Sequence, residues 1–86
     1  MYVIVVYDTE QKNCVRLHKL LKRYLFWNQR SVFEGALTVA QLAEVRDLVE
    51  RTRAKDSHVV FYIMENEKLL RKEVLGVGNG LTSNVL

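Results

Sequence analysis

Two short segments of the chain are apolar at nearly every position, residues 2–7 (YVIVVY) and residues 59–64 (VVFYIM). β-Branched and aromatic side chains favour strands, so each segment predicts a strand, the second one extending back to residue 58. A strand with one solvated face alternates apolar and polar residues. Because neither segment alternates, the sequence predicts a sheet that is covered on both of its faces.

Between these strands the apolar residues change to helical spacing. Over residues 11–25, one helix face is predicted to carry Leu17, Leu20, Leu21 and Tyr24. A second helix is predicted to begin at Val39, because Thr38 and Gln41 have the spacing of a capping box. Its buried side is predicted to consist of Leu42, Val45, Leu48 and Val49.

Further strands are predicted from shorter patterns. Residues 28–35 (NQRSVFEG) contain β-branched and aromatic residues and close at Gly35, where a bulge or turn is expected. A short third strand is predicted near residues 35–37, before the second helix. Residues 72–77 (KEVLGV) are a candidate for a short edge strand.

The predicted order of elements is strand, helix, strand, strand, helix, strand. This βαββαβ order is typical of the ferredoxin-like α+β fold, an antiparallel sheet with two helices on one face. A chain of 86 residues allows one domain, predicted over residues 1–76 and followed by a C-terminal tail over residues 77–86. Since the helices cover only one face, the other is predicted to pack on a second copy, giving a face-to-face homodimer on whose partner subunit the tail docks.

The composition excludes several kinds of protein and site. No apolar run approaches the roughly 18 residues of a membrane span, so a cytoplasmic protein without membrane contact is expected. Cys14 is the only cysteine, which rules out an internal disulfide. No Ser/His/Asp set, phosphate-binding glycine loop or metal-ligand cluster can be assigned, and His18 and His58 are interpreted as structural or solvated residues.

Positive charge is concentrated in the first third of the chain. The net charge is +3, and residues 1–30 hold six Lys or Arg side chains against two acids. One stripe of the first predicted helix, here called the basic stripe, carries Lys12, Arg16, Lys19 and Arg23. The stripe predicts either contact with the phosphates of a polyanion or a solvated helix face, and charge alone favours neither.

Asp8 ends the first apolar strand, where the sheet meets solvent. It can be interpreted as a strand terminator or helix cap, or as a metal ligand. Magnesium commonly uses one or two carboxylates together with water and substrate phosphate. If the twofold axis of the dimer passes near the strand ends, two Asp8 side chains would form such a site and support phosphodiester hydrolysis.

Longer motifs connect the chain to a known family. It contains YVIVVYD at its start, QRSVFEGALT at residues 29–38, FYI at residues 61–63 and KEVLGV near its tail. Together these motifs resemble the CRISPR-associated protein 2 family, the small partner of the integrase in spacer acquisition. The resemblance covers essentially the whole chain, and it implies a ferredoxin-like, face-to-face homodimer that acts in CRISPR antiviral defence.

Residue roles follow from the resemblance by position. Asp8 matches the metal-binding aspartate that each subunit supplies at the dimer cleft, so Asp8 is the expected catalytic and metal residue, with magnesium or another divalent cation as cofactor. The resemblance implies contacts with RNA or double-stranded DNA through Tyr7, Lys12, Arg16, Ser31 and Phe33. The basic stripe adds Lys19 and Arg23 to the expected contacts, and Arg30 is added as a surface cation. Phe33 could stack on a base, although a place in the core is the commoner fate of such a residue. The resemblance implies an arginine near the position of Cys14 in many members, so weaker binding of substrate is expected here.

Different functions remain open on the sequence. The first is a metal-dependent endoribonuclease or double-strand DNA nuclease that depends on paired Asp8. The second is a catalytically silent scaffold that bridges integrase subunits and duplex DNA through the basic stripe. A third is a small-ligand regulatory module or an RNA-binding sheet, since the fold serves many roles. Two apolar sheet faces argue against the RNA-binding sheet, because that surface has to be exposed.

Overall fold

A computed structural model describes residues 1–76 of the chain, and the tail predicted to dock on a partner, residues 77–86, lies outside the described residues. The elements are β1 (Tyr2–Asp8), α1 (Gln11–Leu21), β2 (Phe26–Gln29), β3 (Val32–Ala36), α2 (Val39–Thr52), β4 (His58–Met64) and a 3₁₀ turn (Glu67–Leu69). Within the described residues, neither helix is long and apolar enough to cross a membrane.

The strands form one antiparallel sheet in the order β2–β3–β1–β4. Strand β1 lies inside the sheet and pairs with β3 on one side and β4 on the other. The ladder between β1 and β4 runs from Tyr2 opposite Met64 to Asp8 opposite His58. Both helices pack on the same face of the sheet through one apolar cluster. This topology confirms the predicted ferredoxin-like α+β fold.

The core lies between this face and the helices. Val3, Val5 and Tyr7 alternate along β1, and all of them are buried against the helix side chains. The helix residues predicted to be buried divide into two groups. The fully buried group consists of Leu17, Leu20, Leu21, Leu42, Val45 and Val49. The partly buried group, which packs against the same cluster, consists of Tyr24 and Leu48.

The two helices differ in how well their ends were predicted. Helix α2 begins at the predicted capping box, in which the Gln41 N–H donates to Thr38 Oγ1 at 3.1 Å and the Thr38 N–H donates to Gln41 Oε1 at 2.9 Å. Helix α1 ends at Leu21 instead of residue 25. The Tyr24 N–H donates to the Leu21 carbonyl at 3.0 Å, an i→i−3 bond that tightens the chain into a turn.

The predicted boundaries of the second and third strands are wrong. Strand β2 begins earlier, at Phe26, and the segment predicted as two strands beyond Arg30 is the single strand β3. The hairpin turns at Arg30, whose φ of 44° lies in the left-handed region, and the Trp27 Nε1–H donates to the Arg30 carbonyl at 2.9 Å. Glycine and proline are the residues that most clearly indicate a turn, and this turn has neither. The residues on its two sides were therefore predicted to form one strand.

Gly35 and the segment near the C-terminus also differ from the prediction. Gly35 is a regular member of β3 opposite Val3, and the irregularity in pairing lies in β2. A Cβ atom at Gly35 would lie 3.1 Å from Leu25 Cδ2. Glycine at this position therefore allows the loop between α1 and β2 to pack closely on β3. Residues 72–76 are not part of a strand within this chain, and Val77 lies outside the described residues.

The second face of the sheet, here called the open face, is covered by no helix in the described part of the chain. Its residues on β1 are Tyr2, Ile4, Val6 and Asp8, and those on β4 are His58, Val60, Tyr62 and Met64. The apolar members are partly or largely exposed, whereas the residues that alternate with them on β1, Val3, Val5 and Tyr7, are buried under the helices. The second apolar face inferred from the sequence is therefore present, and its cover by a second copy stays a prediction.

Candidate functional site

Asp8 is the last residue of β1, exposed on the open face and directly opposite His58 of β4. The loop that follows is fixed by α1. The Thr9 hydroxyl donates to Asn13 Oδ1 at 3.1 Å, and the Cys14 thiol donates to the Thr9 carbonyl at 3.4 Å. Asp8 thus lies at a strand end that is held by hydrogen bonds between Thr9 and α1, and its carboxylate is accessible.

Asn13 is a supporting residue that the sequence analysis missed. It is buried, its Nδ2 donates to the Thr52 carbonyl at 2.9 Å, and its Oδ1 accepts from the Ala54 N–H at 2.9 Å. These bonds join the start of α1 to the segment between α2 and β4. The available signal was its position four residues before Leu17, which places a polar side chain on the apolar face of the helix.

A single copy supplies only part of a metal site. Exposed carboxylate oxygens are suitable ligands for magnesium, so the chemistry of Asp8 fits. Residues 1–76 contain no group of three or more His, Cys, Asp or Glu side chains that could hold a metal ion. The fit therefore depends on a second carboxylate from another copy, together with water and substrate phosphate.

A cleft, here called the α1 cleft, brings several of the other predicted residues together. It has a volume of about 720 Å³ and opens between α1 and the β2–β3 turn. The sheet and turn contribute Tyr7, Arg30 and Ser31. Helix α1 contributes Gln11, Cys14, Val15, His18 and Lys19. Of the predicted nucleic-acid contacts, Tyr7, Lys19, Arg30 and Ser31 therefore share one site.

Tyr7 and Phe33 are the buried members of the predicted contacts. Both are on the helix face, where their rings stack with centroids 6.3 Å apart, and burial raises the pKa of Tyr7. Phe33 has no exposed surface and its ring centroid is 5.2 Å from that of His18. The ring cannot reach a base in this arrangement, which corrects the suggestion that Phe33 stacks on one and leaves the alternative of a core residue.

The basic stripe is present and accessible. Its members Lys12, Arg16, Lys19 and Arg23 are all exposed on α1. Within residues 1–76, none of the four is engaged in a salt bridge, and the Arg23 guanidinium lies 5.6 Å from the centroid of the Tyr24 ring. The stripe belongs to the helix layer, whereas Asp8 lies on the open face. The structure thus brings Lys19 to the α1 cleft, while the stripe begins at Lys12 in the first turn of α1 and follows that helix.

A buried carboxylate on the open face was not expected from the sequence. The side chain of Glu34 on β3 is 4% exposed, and its Oε1 accepts from the Tyr2 hydroxyl and from Lys72 Nζ, both at 2.7 Å. Its Oε2 accepts from Asn28 Nδ2. Lys72, 19% exposed, thereby ties the C-terminal segment of the domain to its own sheet. No local pattern could have linked residues so distant in the chain.

The hydrogen bonds around Glu34 shift two pKa values. Burial alone raises the pKa of Glu34, but hydrogen bonds from Lys72, Tyr2 and Asn28 outweigh it and hold the pKa below its usual 4.5. The pKa of Tyr2 is raised well above its usual value. Burial is the largest cause, and the hydrogen bond to the Glu34 carboxylate is the next. Near neutral pH, Glu34 is therefore a carboxylate and Tyr2 a neutral phenol.

Replacing Lys72 with methionine is expected to destabilise the fold by about 2–3 kcal/mol at neutral pH, because it leaves a buried carboxylate without its cation. A carboxyl whose folded pKa is lowered stabilises the fold above its unfolded pKa, and this stabilisation is lost as the pH falls through the folded value. The difference between the two proteins should thus shrink below about pH 4.5. Urea unfolding at pH 7 and in acid measures it.

Lys68→Met is the matched control, since Lys68 is an exposed lysine of the preceding 3₁₀ turn whose side chain has no bond to Glu34. It should change the free energy of unfolding by less than about 0.5 kcal/mol. Equal effects of the two substitutions at pH 7 would show that the Lys72–Glu34 pair does not hold the segment.

Comparison with known proteins extends these observations. The model of the CRISPR associated protein Cas2 family matches residues 1–72. The CRISPR-associated endoribonuclease Cas2 3 of Thermodesulfovibrio yellowstonii is 38% identical over 99% of this chain and 98% of its own length. The CRISPR-associated endoribonuclease Cas2 2 of Archaeoglobus fulgidus is 40% identical over 94% of this chain and 89% of its own. A crystal structure of cas2 has 43% identity and a TM-score of 0.83, covering 100% and 98% of the two chains.

Proposed function

The chain belongs to the CRISPR-associated protein Cas2 family, and on that premise we propose that it is a nuclease of CRISPR antiviral defence. Two of its relatives carry the name endoribonuclease, which supports a phosphodiester hydrolase. The working form in this proposal is a cytoplasmic homodimer that cleaves RNA or double-stranded DNA with magnesium or another divalent cation. The observation that carries the proposal is the exposed carboxylate of Asp8 at the braced end of β1.

The open face supports the dimer part of the proposal. Tyr62 and Ile4 lie on this face, and Tyr62 is largely exposed in a single copy. Burial of such side chains contributes roughly 25 cal/mol per Å² of apolar surface, so a second copy placed face to face would be stabilised by them. A twofold axis repeats every residue of one face on the other. It would therefore supply the second Asp8 that a single copy lacks.

The residues have distinct proposed roles. A divalent cation, when bound, offsets the charge of the phosphate and activates the attacking water. The Asp8 carboxylates from the two copies would hold that cation through their oxygens. The cationic side chains of the basic stripe would hold the phosphates of the nucleic acid without reading its sequence. The family resemblance implies an arginine near the position of Cys14 in many members, and since Cys14 supplies no charge, substrate binding would rest more heavily on these side chains.

A second candidate function is favoured by the exposure of the basic stripe along α1. Because Arg16, Lys19 and Arg23 follow the helix beyond Lys12, a duplex held by these cations would not require the Asp8 carboxylate. In this alternative, the dimer is a scaffold in spacer acquisition that holds duplex DNA and bridges integrase subunits, and hydrolysis is dispensable. The two functions therefore predict different consequences for variants of Asp8 and of the stripe.

A cleavage assay of the purified chain on RNA and on duplex DNA tests the nuclease proposal. Cleavage that requires added magnesium or manganese and stops with excess chelator is the expected result. Cleavage that continues in excess chelator would contradict a cation-dependent site. Comparison of the two substrates in the same assay identifies which nucleic acid is cleaved.

A further inference from the structure

The α1 cleft lies on the helix side of the sheet and is separate from both the open face and the Asp8 carboxylate. Tyr7, which forms part of its wall, is buried under the helices, whereas the next residue, Asp8, points to the opposite face. A second copy packed on the open face would leave this cleft accessible. The cleft is therefore available to a ligand in a monomer and in a face-to-face dimer alike.

The polar groups of the cleft fit an anion. Lys19 and Arg30 contribute cations, Ser31 a hydroxyl and Gln11 an amide. Among the lining residues within the described part of the chain, none is acidic. The backbone that carries Arg30 is fixed by the hydrogen bond from Trp27 Nε1, so the guanidinium extends from a defined point of the turn. These groups match a phosphate or a phosphodiester.

The remaining wall fits a flat apolar group. Val15 is 50% exposed in the cleft, and the thiol-bearing side chain of Cys14 lies beside it. Bases of single strands bind proteins by contact of their faces with apolar and aromatic side chains, while cations hold the backbone. A volume of about 720 Å³ is in the range of small-molecule sites. A base in a duplex could enter only by leaving its stack.

We propose that the α1 cleft binds one unpaired nucleotide, with its base against Val15 and Cys14 and its phosphate between Lys19 and Arg30. Single-stranded nucleic acid, or the unpaired end of a duplex, is then the preferred ligand of this site. The inference deepens the proposed function, on which it rests in taking nucleic acid as the ligand. It does not require that the chain cleave what it binds.

The single cysteine of the chain provides a direct test on the unmodified protein. Cys14 lines the cleft, so the rate at which a thiol reagent modifies the protein reports whether the cleft is occupied. The measurement is made with excess chelator, using a ten-nucleotide strand of uridine or thymidine and a blunt duplex of mixed sequence, each at a concentration that saturates binding. The single strand should slow modification at least fivefold, and the blunt duplex less than twofold.

A cleft-filling substitution gives a second test. Val15→Trp should weaken binding of the single strand about tenfold and change binding of the blunt duplex less than twofold. Val39→Trp, at an exposed site at the start of α2, is the matched control and should change neither.

Other outcomes of these two tests overturn the inference. Equal protection of Cys14 by both ligands, no protection by a bound single strand, or no binding of the single strand would each do so. Protection of Cys14 without any cleavage in the presence of cation would instead overturn only the nuclease proposal. Cleavage of nucleic acid without protection would overturn only this inference.

Discussion

Asp8→Asn is expected to lower cation-dependent cleavage at least about 100-fold, because it removes the charged oxygen ligands proposed for the cation without changing the size of the side chain. The residue is exposed, so the free energy of unfolding should change by less than about 0.5 kcal/mol. The measurement is the initial rate of cleavage at saturating cation, with sedimentation of the same samples to establish that the oligomeric state is unchanged.

Asp56→Asn is the matched control for this substitution. Asp56 is an exposed aspartate two residues before His58, the residue opposite Asp8, so its replacement removes the same charge from the same end of the sheet without altering Asp8. It should leave the rate within twofold of the original. Undiminished cleavage by pure Asp8→Asn protein would show that Asp8 is not the metal residue. A loss of rate together with a loss of the dimer would assign Asp8 a structural role.

Reversal of the basic stripe to glutamate is expected to weaken binding of duplex DNA by about 10³-fold at moderate salt. Each side chain that neutralises a phosphate releases a counterion, which contributes about −0.9 to the slope of log affinity against log salt concentration. If all four members contact phosphates, the slope should fall in magnitude by about 3 to 4. Filter binding or fluorescence anisotropy over a salt series measures both quantities.

The control for the reversal needs the same change of charge elsewhere on the chain. Exposed cations outside the stripe provide it: Arg46, Arg51, Lys55 and Lys68. Their reversal should weaken binding far less and leave most of the salt dependence. Similar losses in the two variants would show that net charge, and not the stripe, governs binding. DNA binding that survives reversal of the stripe would contradict its role in both the nuclease and the scaffold.

These two variants also separate the proposed functions. The nuclease requires Asp8, whereas the scaffold requires the basic stripe and tolerates Asp8→Asn. An assay of spacer acquisition in cells that supply the integrase therefore distinguishes them. Acquisition that persists with Asp8→Asn and stops on reversal of the stripe would favour the scaffold.

The parts of the fold predicted from sequence are those with strong local signals. Strands β1 and β4 were evident from unbroken apolar runs, and the start of α2 from its capping box. The β2–β3 hairpin was misplaced because Arg30 turns the chain with a left-handed backbone that favours glycine. Strand β3 is fixed by pairing with β1, and β2 by pairing with β3; local propensity does not record such long-range pairing.

The candidate site was predictable to a similar degree. The position of Asp8 after an apolar strand was sufficient to single it out, and helical spacing was sufficient to find the basic stripe. Long-range contacts were not predictable, since Lys72 and Glu34 meet only after the chain folds across its own sheet. The burial of Phe33 likewise depends on packing against His18 of another element.

In the proposed dimer, two copies meet through their open faces and bring their Asp8 residues together. Cross-linking of an Asp8→Cys, Cys14→Ser variant with a thiol-reactive linker a few ångströms long measures this directly. Nearly complete conversion to a covalent dimer at dilute protein is expected, while an Arg46→Cys, Cys14→Ser control, with its thiol exposed on α2 of the helix layer, should stay mostly unlinked. A variant that sediments as a dimer but cross-links no better than the control, or that sediments as a monomer, would contradict a dimer formed through the open faces.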